Sequence, residues 1–309
     1  MSVYLWQLTA IEFTEHTLVS GTILDGRRPI SPNTNTIAGN FFQVMRSYFH
    51  KTFANKDVTI RMGGKEWTIK TSSNGHFSML VEGAVNDDIS IHTQKGELDI
   101  TQDYPYIFRH SDAKTEVISD LDDTVMVSHT ASALKRIGTI LFYRPKKRKA
   151  VAYTHELFGK FRKSNYRISY LSKSESNLFG LINSVIRFRE LPEGPLMLTP
   201  FLNIRQLFHP KKGKDYKLNN LRLIIDHLPG KKFILLGDDT QRDMDVYSQI
   251  NREYPDRIRK IYIRQTTLKP NIKQIEKWNT LQSTGADAIY FKDTDEIGEE
   301  VINEPIETK

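Results

Sequence analysis

Along the first third of the chain, apolar residues recur in short runs, each closed by turn-forming residues. Leu18 to Leu24, Val58 to Met62, Trp67 to Thr71, His76 to Val81 and Ile89 to His92 read as strands. Gly63-Gly64 joins two of them as a hairpin, and Ser73-Asn74-Gly75 forms a second tight turn. This pattern predicts a small β-sandwich domain over residues 1–112, interrupted by one helical insertion. In that insertion Phe41, Met45, Tyr48 and Phe49 fall at helical spacing, with Arg46 and Lys51 off the apolar face. The face is expected to be core, with a membrane-facing role as the alternative.

After Thr115 the period changes to strands alternating with helices, the pattern of a parallel sheet covered on both faces. Strands are expected at Glu116 to Ser119, Tyr166 to Leu171, Pro195 to Thr199, Lys232 to Leu236, Arg257 to Arg264 and Asp287 to Phe291. Helices are expected at Ala131 to Phe142, Tyr153 to Lys163, Leu178 to Glu190, Lys217 to Leu228, Asp243 to Glu253 and Ile272 to Thr284. The fold class predicted for residues 113–309 is α/β, a Rossmann-like doubly wound parallel sheet. Such sheets bind ligands beyond the carboxyl ends of their strands.

Those strand ends carry the candidate chemistry. The first delivers Asp120-Leu121-Asp122-Asp123-Thr124, in which Asp120 and Asp122 share one face of an extended chain. Two carboxylates so placed repel each other unless a cation or a shared proton lies between them. The second strand leads into Ser172-Lys173-Ser174 and the fourth into Gly237-Asp238-Asp239-Thr240-Gln241-Arg242-Asp243, while Lys217 opens the helix before that fourth strand. Each has an ordinary reading as a helix cap, a turn or an acidic surface loop. Their succession on consecutive strand-to-helix junctions favours phosphoryl transfer. There, one carboxylate attacks, a second handles the proton, a hard cation screens charge, and lysine and hydroxyl hold phosphate oxygens.

Composition narrows the partners. The chain has 309 residues, which allows two domains, and no cysteine, which excludes disulfides and thiolate chemistry. Lysine and arginine number 44 against 37 acidic residues, a formal charge of +7 that favours anionic partners. Much of the excess lies in Arg144-Pro145-Lys146-Lys147-Arg148-Lys149 and in Lys211-Lys212-Gly213-Lys214. Such runs serve as solvated loops or as contacts to nucleic acid, anionic lipid or a phosphorylated solute. The amino terminus shows no basic leader followed by an apolar core, and no apolar run has membrane-spanning length. The expected location is the cytoplasm.

Taken together, Ser119-Asp120-Leu121-Asp122-Asp123-Thr124-Val125, Tyr170-Leu171-Ser172, Leu191-Pro192-Glu193-Gly194-Pro195-Leu196, Lys232 to Asp238 and Tyr254-Pro255-Asp256-Arg257-Ile258 resemble the haloacid dehalogenase (HAD) superfamily. Within it they look most like the App1-like phosphatidate phosphatases. Ile261-Tyr262-Ile263-Arg264 is similar to the family's end-of-domain signature. Val19-Ser20-Gly21-Thr22 and Asn74-Gly75-His76-Phe77 resemble the small β domain that precedes the catalytic domain in bacterial members. The resemblance implies a Mg2+-dependent phosphatase working through an aspartyl-phosphate, with Asp120 as nucleophile and Asp122 as general acid and base. Asp120, the Asp122 carbonyl and Asp238 would hold the metal, with Asp243 acting through water or through Lys217 and Asp239 as a substitute for either. Ser172 and Lys217 would hold phosphate, with Thr124 and Lys173 also on the substrate side.

The chain departs from the family where a leaving group would sit. It reads Ser172-Lys173-Ser174-Glu175 for the usual Ser-Asn-Ser-Pro, Tyr216-Lys217 for His-Lys, and Gly237-Asp238-Asp239-Thr240 for Gly-Asp-Ser-Gly. The implied substrate is a phospholipid or other phosphomonoester, with phosphatidate leading. The short insert and the basic stretch at Arg144 to Lys149 suggest peripheral contact with an anionic membrane. Nucleic acid is not the expected partner. The alternatives are the same chemistry on a soluble phosphomonoester, or a non-catalytic adaptor that binds a membrane or a partner.

Overall fold

The computed structural model describes residues 2–26, 46–85, 88–100, 102–121, 148–203, 215–240 and 242–292. The fold is mixed α/β. In chain order the first strands are β1 (Val3–Glu12), β2 (His16–Asp25), β3 (Lys51–Thr52), β4 (Asp57–Met62), β5 (Lys65–Lys70), β6 (His76–Glu82), β7 (Ser90–Thr93), β8 (Gly96–Glu97) and β9 (Ile107–Phe108). There follow β10 (Thr115–Asp120), α1 (Arg148–Lys163), β11 (Ile168–Glu175), α2 (Phe179–Phe188), β12 (Leu196–Thr199), α3 (Tyr216–His227), β13 (Lys232–Asp238), α4 (Asp243–Glu253), β14 (Ile258–Arg264), α5 (Ile272–Gln282) and β15 (Ala288–Phe291). Contacts divide the chain into two compact units. One comprises Met1–His110, Ser174–Phe188 and Leu198–Lys214; the other comprises Ser111–Lys173, Arg189–Met197 and Asp215–Lys309.

In the first unit a five-stranded sheet runs β3-β2-β1-β9 with β6 also paired to β2, and a four-stranded sheet runs β5-β4-β7-β8. Leu5, Leu8, Val19 and Ile23 from one sheet and Val58, Ile60 and Ile91 from the other fill a single apolar core. Sequence periodicity does not predict β1. Its burial is nearly continuous and takes in Gln7 and Thr9, so the alternation that marks a half-exposed strand is missing. The buried Gln7 has a specific partner, since Ser176 donates its hydroxyl to Gln7 Oε1 at 2.7 Å and the Trp6 indole donates to the Ser176 carbonyl at 2.7 Å. The segment around α2 is thereby tied to β1. Of the expected helical insertion, Phe41 and Met45 lie outside the described residues. Tyr48 is buried, whereas Phe49 is 69% exposed and not part of a core face.

In the second unit the sheet order is β12-β11-β10-β13-β14-β15, with β10 paired in parallel to both β11 and β13, and β14 in parallel to β13 and β15. Every residue of β10 is buried, as a central strand covered on both faces requires. Two expected boundaries move by four residues or more, the others by two at most. The helix α1 begins at Arg148, inside the stretch read as a basic linker, and β11 continues through Glu175, so Ser172 stands within the strand rather than after it. Close packing explains Gly194, where a Cβ would come within 1.8 Å of the Ile168 carbonyl oxygen. The helix expected over Ala131 to Phe142 and the stretch Lys211 to Lys214 lie outside the described residues.

Candidate active site

Because β10 is the strand flanked by β11 and β13, its last residue, Asp120, emerges at the middle of the sheet's carboxyl edge. Lys217, in the first turn of α3, reaches it, with Nζ 2.7 Å from Asp120 Oδ1. The same ammonium lies 2.6 Å from Asp243 Oδ1, at the first residue of α4. The other Asp243 oxygen accepts the Asp238 backbone N–H at 3.3 Å. Asp238 ends β13, and its Oδ1 accepts both the backbone N–H and the hydroxyl of Thr240 at 2.5 Å. Ligand oxygens of Asp120, Asp238 and Asp243 all lie within 4.8 Å of one another, and all three residues are buried.

Gly237 makes this convergence possible. A Cβ there would stand 2.8 Å from Asp243 Oδ2 and 2.9 Å from Tyr247 Cε2. The α4 helix therefore approaches β13 more closely than any other residue would permit. Tyr247, fully buried on α4, donates its hydroxyl to the Leu236 carbonyl at 2.8 Å and fixes that approach. Asp243 also sits where the helix dipole favours a carboxylate.

Burial by itself would lower the Lys217 pKa, but Asp120 and Asp243, with a contribution from Tyr247, outweigh it and hold the ammonium well above its ordinary value. Burial, then Asp243, pushes the Tyr247 phenol well up, with Lys217 opposing. Lysine thus stays cationic and tyrosine stays neutral. Among the described residues, Lys217 bridges two of three convergent buried carboxylates, Asp120 and Asp243, and three carboxylates this close in a low-dielectric interior favour a bound cation. The donors are all carboxylate oxygens, which suits a hard divalent cation rather than a thiolate-seeking one. The residues fit such an ion.

The structure brings together Asp120, Lys217, Asp238 and Asp243 of the residues predicted from sequence. Ser172 is buried on β11, one position beyond Leu171, the register partner of Asp120, and Lys173 beside it is partly exposed. Asp122 and Thr124 lie outside the described residues. Asp239 is turned elsewhere: its Oδ1 accepts the Thr266 hydroxyl at 2.6 Å and backbone N–H at 3.1 Å, and its Oδ2 accepts the Tyr290 hydroxyl at 2.6 Å. Those bonds engage both of its oxygens, and it is not among the three convergent carboxylates.

Sequence reasoning assigned no role to Tyr247 or Arg264. Arg264 is 7% exposed and is the register partner of Asp238, so the two side chains leave the same face of the sheet. Its buried Nε has no hydrogen-bond partner among the described residues. An arginine closing the apolar run Ile261-Tyr262-Ile263 is the signal that could have found it.

Comparison with known proteins bears on the same stretch. Residues 115–265, from β10 to just past β14, match the family model described as phosphatidate phosphatase APP1, catalytic domain. An uncharacterized protein of Schizosaccharomyces pombe is 23% identical over 150 residues, covering 48% of this chain and 24% of that protein. The phosphatidate phosphatase APP1 of Saccharomyces cerevisiae is 30% identical over 95 residues, covering 31% of this chain and 16% of that protein. The chain therefore spans less than a quarter of the length of either relative. A carbohydrate acetylesterase from Xanthomonas citri superposes over 92% of this chain and 66% of its own at 11% identity, with a TM-score of 0.34, too low to bear on fold or chemistry. The match over 115–265 contains all four of the convergent side chains, Asp120, Lys217, Asp238 and Asp243.

Proposed function

We propose that the protein is a Mg2+-dependent phosphatase that cleaves phosphatidate to diacylglycerol and phosphate. The observation that carries this reading is Lys217 held between Asp120 and Asp243 in a buried cluster of three carboxylates, inside the stretch that matches a phosphatidate phosphatase catalytic domain. On this reading the parallel sheet is a HAD-like, Rossmann-like doubly wound fold, preceded by a β-sandwich, with the domain boundary near residue 112. The expected place of action is the cytoplasmic face of an anionic membrane.

Asp120 attacks phosphorus through a carboxylate oxygen. The new oxygen–phosphorus bond forms as the bond to the ester oxygen breaks, and the departing alkoxide takes a proton from Asp122. Water then attacks the acyl-phosphate and gives a proton back to Asp122, which regenerates Asp120 and releases phosphate. Lys217 fixes the attacking carboxylate and presents a permanent positive charge to the phosphoryl oxygens. Ser172 donates to those oxygens, and Lys173 and Thr124 border the leaving group. Arg264, buried opposite Asp238 with an Nε that has no hydrogen-bond partner among the described residues, is a further candidate for an anionic oxygen of the substrate. Asp120, the Asp122 carbonyl and Asp238 would hold Mg2+, with Asp243 orienting Lys217 and Asp239 bracing the turn. When bound, that ion screens the phosphate from the carboxylate that attacks it.

The deciding experiment measures phosphate release from vesicle-borne phosphatidate, lysophosphatidate and soluble sugar phosphates, with and without Mg2+. Wild type is expected to turn over phosphatidate fastest and only with the metal, and Asp120→Asn to release none. Undiminished release by Asp120→Asn would overturn the mechanism. Faster turnover of soluble esters would move the substrate away from lipid.

A further inference from the structure

Three aliphatic side chains stand in solvent close together in sequence after β14: Leu268 at 83%, Ile272 at 76% and Ile275 at 44% exposure. Isolated exposed aliphatics are ordinary, but three within eight residues of chain call for an occupant. The α5 helix docks by its opposite side, where Gln274 and Leu281 are buried and Trp278 lies 5.2 Å from Tyr290 between ring centroids. Ile272 and Ile275, three apart, are left on the outward side.

The segment that presents them is held by Asp239, the residue that follows Asp238 of the candidate site. Thr266 is bonded to the Asp239 carboxylate, and Gln274 Nε2 donates to the Asp239 carbonyl at 3.2 Å, one residue from Asp238. Alongside those anchors Gln265 Nε2 donates to the Thr267 carbonyl at 2.7 Å, and the Thr267 hydroxyl donates to the Lys269 carbonyl at 2.8 Å. Asn271 and Gln274 close a capping box at the start of α5. Leu268, Ile272 and Ile275 thus ride on a segment fastened to the same sheet edge that carries Asp120 and Asp238. Exposed Lys269 and Lys273 alternate with them, against a single carboxylate, Glu276.

We propose that Leu268, Ile272 and Ile275, with Lys269 and Lys273, form the surface by which the protein inserts into an anionic phospholipid bilayer. The choice of a bilayer as occupant rests on the lipid-phosphatase reading above. Aliphatic side chains flanked by lysines match the boundary between acyl chains and anionic headgroups. The same surface presents the strand edge to a substrate that never leaves the membrane.

Flotation with phosphatidylserine vesicles, free of phosphatidate and of Mg2+, tests the surface apart from any turnover, so failure of the hydrolase reading would leave this result untouched. Wild type is expected to float with those vesicles and not with phosphatidylcholine alone. The triple variant Leu268→Ser, Ile272→Ser, Ile275→Ser is expected to lose vesicle partitioning by about tenfold or more at an unchanged melting temperature. Lys269→Gln with Lys273→Gln, which leaves the apolar side chains in place, is expected to weaken binding and flatten its salt dependence. Wild type that stays in the lower fraction, or a triple variant that floats as well as wild type, would overturn the proposal. So would a wild-type dimer that the triple variant dissolves without any vesicle binding, since a second copy would then be the occupant.

Discussion

Glu116 and Asp120 stand four residues apart on β10, both buried, and among the described residues they keep different company. Glu116 accepts Arg167 Nε at 2.9 Å on one oxygen and Lys231 Nζ at 2.8 Å on the other. Lys231 also donates to the Ser111 carbonyl, and nearby Arg259 donates to the Thr115 hydroxyl at 3.1 Å and the Tyr166 hydroxyl at 2.9 Å. One carboxylate is thus enclosed by two cations, which precede β11 and β13 and fasten both strands to β10. At Asp120 three carboxylates converge within 4.8 Å, and Lys217 bridges two of them, Asp120 and Asp243. A buried group that already has its charge partners holds structure. Carboxylates crowded around one lysine are suited to receive a cation, and this contrast separates the two ends of one strand more sharply than burial does.

The largest effects follow from removing each carboxylate in turn. Asp120→Asn is expected to cut phosphate release by about 10^4-fold or more, yet to leave stability in metal-free buffer within about 1 kcal/mol of wild type, because it relieves repulsion among like charges. Glu116→Gln should do the reverse. It strips two buried cations of their carboxylate, a change that costs about 3–5 kcal/mol, while the folded fraction keeps the wild-type KM. Urea titrations alongside turnover measurements check both. If Asp120→Asn proved as destabilising as Glu116→Gln, the division of the strand into a structural end and a working end would collapse.

Gly237→Ala tests the working end without touching charge. The added methyl meets Asp243 and the Tyr247 ring below ordinary contact distance. Overpacking of this kind costs about 1–3 kcal/mol. Relief by moving α4 outward would lengthen the Lys217 to Asp243 contact, so turnover is expected to fall by more than stability alone explains. An alanine variant with full turnover and lower stability would reduce Gly237 to a packing residue.

Much of the working end was legible in sequence because it is built from strand ends and helix starts, which apolar runs and capping residues mark locally. Asp120, Lys217 and Asp243 could be picked out on that basis. Asp239 could not be ranked against Asp238, because its partners Thr266 and Tyr290 come from the loop after β14 and from β15, and nothing near Asp239 announces them. The structural end was invisible for the same reason. Glu116, Arg167 and Lys231 look like surface charges in sequence, and only the parallel pairing brings them together in the interior. In the other unit β1 went unread because its polar residues are buried, and the affiliation of Ser174–Phe188 with that unit depends on Trp6, Gln7 and Ser176 meeting across a long stretch of chain.

A surface pair supplies the smallest test and a scale for the buried ones. Arg222 grips Glu253 through Nε at 2.8 Å and a second nitrogen at 2.6 Å, with side chains 36% and 31% exposed. The Arg222 hydrogen bond, against a smaller opposing effect of burial, holds the Glu253 carboxyl below its ordinary 4.5. A carboxylate with a depressed folded pKa stabilises the fold above its unfolded pKa and loses that contribution as pH falls through the folded value. Glu253→Gln should therefore lower stability near neutral pH by no more than about 1 kcal/mol, after allowance for solvent screening. The gap should close as pH drops below 4.5 and shrink in high salt. Parallel urea titrations of the wild type and this variant across that range would read it. A gap that survived both acid and salt would mean that solvent does not screen this pair, and the contrast drawn between open and enclosed charge would lose its outer reference point.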